Sequence, residues 1–268
     1  MRLLPSKFLA AMIAVRALPG APLYRGDDEW VVKKALEDLD VYKRFDVDSI
    51  ILENDFDVPY IRPPLPQKAI DLMLKIAKKV RKEFNKPVGI QMLKAANETS
   101  LAIAAKANLD YIRVEGYIFA HVGSTGIVEG CAGELLRLRK KLGVEHIKVF
   151  GDIKKKHSSH SLTIDLDIVD ELKQAEFDQI DGVIVTGSMT GVEPDIKELA
   201  RVKKAASVPV LIGSGMTKEN IKNYLPYADG FIVGSTFRKD GKFLEETAPK
   251  RVNGFMKEFK KLQSKYRK

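Results

Sequence analysis

Five charged residues close short apolar, β-branched runs in this chain: Glu53, Arg113, Glu115, Asp152 and Lys154. Successive strand residues point to opposite faces, so each run can be read for parity. In "DYIRVEG", Ile112 and Val114 take one face while Tyr111, Arg113 and Glu115 take the other. In "HIKVFGDI", Ile147 and Val149 share a face, which sends Asp152 and Lys154 the opposite way; Ile51 and Glu53 share a face, and "PVGIQML" contributes Gln91. Charges on an interior face are costly unless paired or ligated, so a ring of them points to a site for a polar, anionic substrate. Within such a ring Asp152 or Glu53 suits a general acid or base, Lys154 an oxyanion partner or Schiff-base amine, and Arg113 a clamp for a carboxylate or a hydroxyl-rich substrate. The same residues could instead form a salt-bridge layer, Arg113 with Glu115 and Asp152 with Lys154. Three carboxylates also suit a divalent cation, Mg²⁺ or Mn²⁺, and no other cofactor is implied.

The segment "DIKKKHSSH" adds Lys156 and His157 just beyond the Asp152 run. His157 has the intrinsic acidity for proton transfer near neutrality, although a loop histidine is as readily just solvated. "PVLIGSGMTKEN" ends an apolar run in Gly213-Ser214-Gly215 before Thr217, a residue type that starts helices. Backbone N–H groups at such glycines can approach an anion closely, Ser214 adds a hydroxyl, and a helix beginning near Thr217 would aim its positive end there. Gly234-Ser235 repeats the pattern one run later, and "VTGSMTG" supplies Thr186, Gly187, Thr190 and Gly191 as a flexible, hydroxyl-rich loop. The bland alternative is that these are turn glycines. No HExxH, GxSxG, Walker A loop or dinucleotide fingerprint occurs, so zinc protease, serine hydrolase and nucleoside-triphosphatase chemistry is unsupported.

Positioning these residues requires an alternating framework. Strand-like runs are read at 8–15, 47–54, 87–93, 110–116, 146–153, 181–187, 209–215 and 229–235. Amphipathic helical patterns fall at 27–44, 66–84, 97–107, 130–142, 163–176, 193–205, 217–225 and 245–264. Eight βα units without a composition break or flexible linker predict an α/β fold, a single (β/α)8 TIM barrel over residues 1–268 with a basic C-terminal helix. Its active face would be the loops after the strands. The long stretch 116–130 is read as a functional loop.

With 268 residues, 45% of them hydrophobic, the chain can build one large core. Cys131 is the single cysteine, which excludes an intrachain disulfide and a cysteine-based zinc site and fits a reducing, cytoplasmic setting. No run approaches the roughly 18 apolar residues of a membrane span, and the apolar start is read as a first buried strand. Much of the net charge of +9 lies in the tail "KRVNGFMKEFKKLQSKYRK", a helix with a solvated basic face; sparse aromatics there make nucleic acid an unlikely partner. A phosphorylated small molecule is the expected ligand, and barrels of this size often form homo-oligomers.

The blocks "ENDFDVP", "IRVEGYIFAHVGSTGIVEG", "GDIKKKH", "VTGSMTG", "PVLIGSGMTKEN" and "ADGFIVGSTFRKDG", in this order, resemble the BtpA/SgcQ family through nearly the whole chain. The resemblance implies a TIM-barrel-like fold and a link either to photosystem I biogenesis or to sugar metabolism, with no single reaction attached. It places Glu53, Asn54, Asp57, Arg113, Glu129, Asp152, Lys154, Lys156, His157, Thr186 and Gly187 at motif positions. The chain departs from the pattern at Ala14, where a histidine stands, at Ala95-Ala96, an Asn-Asp pair, and at Glu115, an asparagine. Two functions follow as expectations: an isomerase or lyase acting on a phosphorylated, sugar-derived metabolite, or a noncatalytic assembly or regulatory protein that keeps a ligand-binding barrel.

Overall fold

A computed structural model describes residues 4–266. Residues 1–3 and 267–268, the extreme ends of the expected domain and part of its basic tail, lie outside the described residues. The chain runs β1 (Phe8–Ala14), α1 (Asp28–Arg44), β2 (Ser49–Glu53), α2 (Gln67–Glu83), β3 (Val88–Gln91), α3 (Asn97–Ala107) and β4 (Tyr111–Val114). A short hairpin of β5 (His121–Gly123) and β6 (Gly126–Val128) precedes α4 (Ala132–Lys141), β7 (Lys148–Asp152) and β8 (Ser158–Ser159). Then come α5 (Ile168–Phe177), β9 (Gly182–Val185), α6 (Ile196–Ala205), β10 (Val210–Ile212), α7 (Ile221–Tyr224), β11 (Gly230–Val233) and α8 (Pro249–Gln263).

Eight parallel strands close in the order β1-β11-β10-β9-β7-β4-β3-β2, the (β/α)8 barrel expected from the alternating runs. Outward strand residues such as Ile50, Ile90 and Val149 join the apolar faces of the helices in one large core. Inward residues, among them Met12, Ile51, Tyr111 and Phe150, form a separate cluster that fills the barrel. The long 116–130 stretch is not irregular: β5 pairs antiparallel with β6 and with β8 from the loop after β7, making a three-stranded cap.

Several helices start later than their hydrophobic pattern. The expected 163–176 helix begins at Ile168, because Ser161–Thr163 form a 3₁₀ turn and Asp167 closes a capping box with Asp170. Asp195 caps α6 by accepting from the Lys197 and Glu198 amides. The largest departure is at 217–225, where the helix shrinks to four residues. There Thr217 and Asn220 satisfy each other, amide to side chain, at 2.8 and 3.2 Å, so the residues before Ile221 form a closed turn instead of a first helical turn.

The barrel floor is set by ring-over-glycine pairs. Phe8 is the registered neighbour of Gly230, Tyr111 of Gly89, and Phe150 of Gly182. A Cβ at Gly89 would lie 2.1 Å from the Tyr111 ring, and one at Gly230 would lie 2.3 Å from the Phe8 ring. Each ring therefore crosses the barrel axis only because its neighbour has no side chain. Tyr111 is further fixed by its hydroxyl, 3.0 Å from both Ser49 Oγ and the Ile50 carbonyl. Gly89→Val should cost roughly 1–3 kcal/mol or more through overpacking. Gly254→Ala, at a helical site in α8 with no heavy atom within 4 Å of the added Cβ, should gain about 0.5–1 kcal/mol. Urea unfolding of both variants checks the pair; equal midpoints would contradict this account of the floor.

Candidate functional site

Above that floor, at the C-terminal ends of the strands, lies a cavity of about 410 Å³. Its wall includes Glu53, Asp55, Gln91, Arg113, Glu115 and Lys156. The strand ends at Gly213–Gly215 and Gly234–Thr236 form another side. Arg113 is 3% exposed and is the organising group. Its Nε and Nη2 donate to the two Asp152 carboxylate oxygens at 2.9 and 2.8 Å, and its Nη1 donates to Glu53 Oε1 at 3.2 Å. Burial opposes the guanidinium charge, but Asp152 and Glu53 outweigh it and hold Arg113 ionised. Burial also pushes the Glu53 carboxyl toward its protonated form despite Arg113. The bidentate Asp152 contact is thus the main counter-charge, with Glu53 the weaker partner.

Asp55 follows two residues after Glu53. Burial, reinforced by the Glu53 charge, pushes its carboxyl up to about 8, so it keeps a proton at neutral pH. Its Oδ2 and the Nε2 of Gln91 are buried without a hydrogen-bond partner among the described residues. Lys156 projects into the cavity with Nζ 3.5 Å from the Gly213 carbonyl, while its backbone amide donates to Thr186 Oγ1 at 3.1 Å. Burial, helped by the Arg113 charge, lowers the Lys156 ammonium to about 8. Lys94, 4% exposed, reaches Ser124 Oγ at 3.3 Å and is likewise pushed down by burial and by Lys155. Lys155 is paired with Glu115 at 2.5 Å. Neither Lys94 nor Lys156 has a carboxylate within 4.0 Å among the described residues.

The other expected site residues divide by position. His157 stands at the rim, its Nε2 accepting from the Thr190 amide at 3.2 Å and 2.9 Å from Thr190 Oγ1; burial favours its neutral imidazole. Lys154 does not join the ring expected from strand parity. β7 ends at Asp152, and Lys154 adopts a φ of 41°, so alternation no longer applies; its Nζ lies 3.2 Å from Glu171 of α5 and donates to the Thr163 carbonyl, behind the cavity. Neither pair of the expected salt-bridge layer forms, since Arg113 takes Asp152 and Glu115 takes Lys155.

Asn54 and Asp57 also serve loops and not the cavity: Asn54 bonds both the amide and carbonyl of Leu93, and Asp57 accepts from the Leu18 amide and from Asn54. Glu129 is exposed. Thr186 holds the Lys156 backbone, and Gly187 turns where a Cβ would meet the Val192 carbonyl at 2.3 Å. Around the glycine ends, Gly213 gives its amide to Val185 and leaves room for the Arg113 guanidinium, which a Cβ would approach to 3.0 Å. Ser214 Oγ donates to the Val192 carbonyl and accepts from the Gly187 amide, so it ties two loops together. The helix dipole expected behind Thr217 is missing because α7 has four residues. Gly215, with φ of +77°, packs against the Glu193 backbone, while Gly234 and Ser235 line the cavity directly.

Asp55, Lys94 and Lys155 escaped sequence reasoning. Asp55 lies past the end of its strand, where parity is silent. Lys94 belongs to a turn whose next residue, Ala95, has φ of 54° and is anchored through its amide to Glu115. The run Lys154-Lys155-Lys156 held the only local signal for Lys155. For the expected divalent cation the donor set does not fit: Glu53 and Asp152 bind Arg113, Glu115 binds Lys155, and no group of three or more His, Cys, Asp or Glu among the described residues could hold a metal. Among those residues, no helix is long and apolar enough to cross a membrane.

Residues 5–261 match the model of the BtpA family. A mitochondrial protein of Caenorhabditis elegans, described as uncharacterized, is 42% identical over 251 residues, covering 92% of this chain and 90% of that protein. The photosystem I biogenesis protein BtpA of Synechocystis is 30% identical over 242 residues, covering 89% of this chain and 83% of that protein. Among solved structures, N-(5'-phosphoribosyl)anthranilate isomerase from Pyrococcus furiosus superposes with a TM-score of 0.58 at 15% identity, covering 95% of this chain and 99% of that one. That likeness speaks for the barrel fold alone.

Two stability measurements test the network. Arg113→Met leaves two buried carboxylates without their partner and should cost about 3–5 kcal/mol at neutral pH, read by denaturant unfolding. For Asp55 the folded value near 8 exceeds the unfolded carboxylate value of about 3.9, so the folded state holds a proton that the unfolded chain releases. Stability due to this group is present at low pH and declines between those two values, by at most about 1.4 kcal/mol per pH unit. Asp55→Asn should therefore gain on the parent as pH rises from 5 to 8. A difference independent of pH would show that Asp55 ionises normally.

Proposed function

The chain belongs to the BtpA family, and from the site at its barrel mouth we propose that it is a cytoplasmic (β/α)8 enzyme that binds a small phosphorylated, sugar-derived metabolite and acts on it by acid–base chemistry of the isomerase or lyase kind. One observation carries the reading: Lys94 and Lys156 face the same cavity without a carboxylate partner among the described residues. Two desolvated ammonium groups without counter-charge favour an anionic ligand. A phosphate seated against the Gly213–Gly215 and Gly234–Thr236 strand ends would supply that charge and accept backbone hydrogen bonds.

The opposite wall supplies the chemistry. Asp55, held protonated, suits proton donation to a developing alkoxide or enolate, and Glu53, made more basic by burial while paired with Arg113, suits proton transfer beside it. Lys156, with its amine lowered to about 8, suits proton abstraction, and His157 at the rim can relay protons to solvent. The name of the Synechocystis relative favours a second reading, a noncatalytic assembly factor whose barrel senses a ligand.

Thermal shift against inorganic phosphate and a panel of sugar phosphates, each beside its unphosphorylated sugar, tests the first reading. A phosphorylated compound at about a hundredfold above its Kd should stabilise the protein by roughly 2.7 kcal/mol. Ser235→Asp, which brings a negative charge to the cavity wall, should abolish that gain without lowering the ligand-free midpoint by a comparable amount. Absence of any response to phosphorylated compounds would remove the phosphate site and leave the noncatalytic reading, for which a protein partner on affinity capture is the expected result.

A further inference from the structure

We propose that Lys156 is a nucleophilic amine that forms an imine with the carbonyl carbon of a phosphorylated ketone or aldehyde held in the barrel mouth. The inference deepens the phosphate reading and rests on it for the anionic end of the ligand. Three lysines line the cavity, and their surroundings separate them. Lys155 is neutralised by Glu115 at 2.5 Å. Lys94 is turned toward Ser124 beside the cap hairpin. Lys156 has no carboxylate partner and places its Nζ 3.5 Å from the Gly213 carbonyl, the strand end that also faces the Arg113 guanidinium, on the wall it shares with Glu53; the charges of Glu53, Arg113 and Asp152 all act on it.

Its stem is fixed as a nucleophile's must be. The backbone amide of Lys156 is held by Thr186, and the side chain extends over the strand end at Gly213. The charged groups around the amine oppose one another: Arg113 and Lys155 disfavour its ammonium form, Glu53 and Asp152 favour it, and burial tips the balance to about 8. At pH 7 roughly a tenth of such amines are neutral, against fewer than about one in a thousand for an ordinary lysine near 10.4.

The step balances within this set of groups. The neutral nitrogen adds to the carbonyl carbon, a C–N bond forms, and the π electrons pass to oxygen, which takes a proton from Asp55. The nitrogen of the resulting carbinolamine loses one proton to Glu53. That proton returns to the hydroxyl, which leaves as water while the nitrogen lone pair forms the C=N bond. The product is a protonated imine and one water, with the carbonyl compound, the amine and the Asp55 proton consumed. Nothing is oxidised or reduced. A protonated imine withdraws electrons from the adjacent carbon, which serves either proton shuffling or carbon–carbon cleavage.

The test uses the full chain and pyridoxal 5′-phosphate, a phosphorylated aldehyde, with borohydride to reduce any imine to a stable amine, followed by peptide mass mapping. The expected result is close to one label per chain, on Lys156, with labelling that rises through pH 8 and is suppressed by inorganic phosphate. Lys156→Arg should lose that label and leave the protein folded by circular dichroism. Inorganic phosphate thermal shift is run in parallel on the parent. A parent that responds to phosphate while Lys156 stays unlabelled, with label on Lys94, Lys155 or exposed lysines, would overturn the imine and keep the phosphate site. Neither response would overturn both, and label at Lys156 without a phosphate response would keep the amine but not the anion site.

Discussion

The mouth of this barrel is organised around one buried cation. Arg113 reaches from β4 to Asp152 on β7 and to Glu53 on β2, so a single side chain ties three strands together at the level where side chains first meet the cavity. A guanidinium suits this position because its planar fork can engage two carboxylates at once, which a lysine's single ammonium cannot do in the same geometry. The arrangement also explains a glycine: Gly213 ends β10 without a side chain, since a Cβ there would crowd Arg113 Nη2. Burial sets the direction of the shifts at Lys156, Glu53 and Asp55, and the charges of this centre modulate all three.

Such a centre is sustainable only if water and main chain are kept in order beneath and above it. Beneath, Tyr111, Phe150 and Phe8 lie across glycines of neighbouring strands and plug the barrel with rings. Above, the cap made by β5, β6 and β8 brings Ser124 to the cavity wall, with the rings of His121 in β5 and His160 just after β8 5.5 Å apart. The loops between are pinned by side chains that lie outside the cavity, Asn54 on Leu93 and Asp57 on Leu18, and by Ser214 on the cavity wall, which holds Val192. Residues at motif positions can therefore serve geometry one layer behind the chemistry.

The barrel was legible because each strand carries an apolar run and each crossover a helical one, and interior parity held wherever the strand persisted: Glu53, Gln91, Arg113 and Asp152 all point inward. Parity failed at Lys154, beyond the last ladder contact, where a left-handed turn swings the chain toward α5 and brings Lys155 and Lys156 inward instead. The hairpin within 116–130 was illegible because its strands are three residues long and one of them, β5, takes its second partner from β8, more than thirty residues onward. Thr217 misled for a related reason: its cap-like side chain closes a turn with Asn220, and a local hydrogen bond looks the same in sequence whether or not a helix follows.

The departures at Ala14, Ala95 and Ala96 fit this division of labour. Ala14 packs with Ala17 and Phe56 in a small apolar cluster, and Arg16 covers the Phe56 ring from 4.2 Å, so the end of β1 contributes no polar group to the mouth. Ala95 acts through its backbone alone, giving its amide to Glu115, whose other oxygen pairs with Lys155. Polar function is thereby gathered on the side built from β2, β3, β4 and β7, while β10 and β11 present small residues and main chain. A cavity of that kind has two unlike ends. One end offers titratable side chains and the other offers backbone and hydroxyl groups, so the two ends differ in the chemistry they can present.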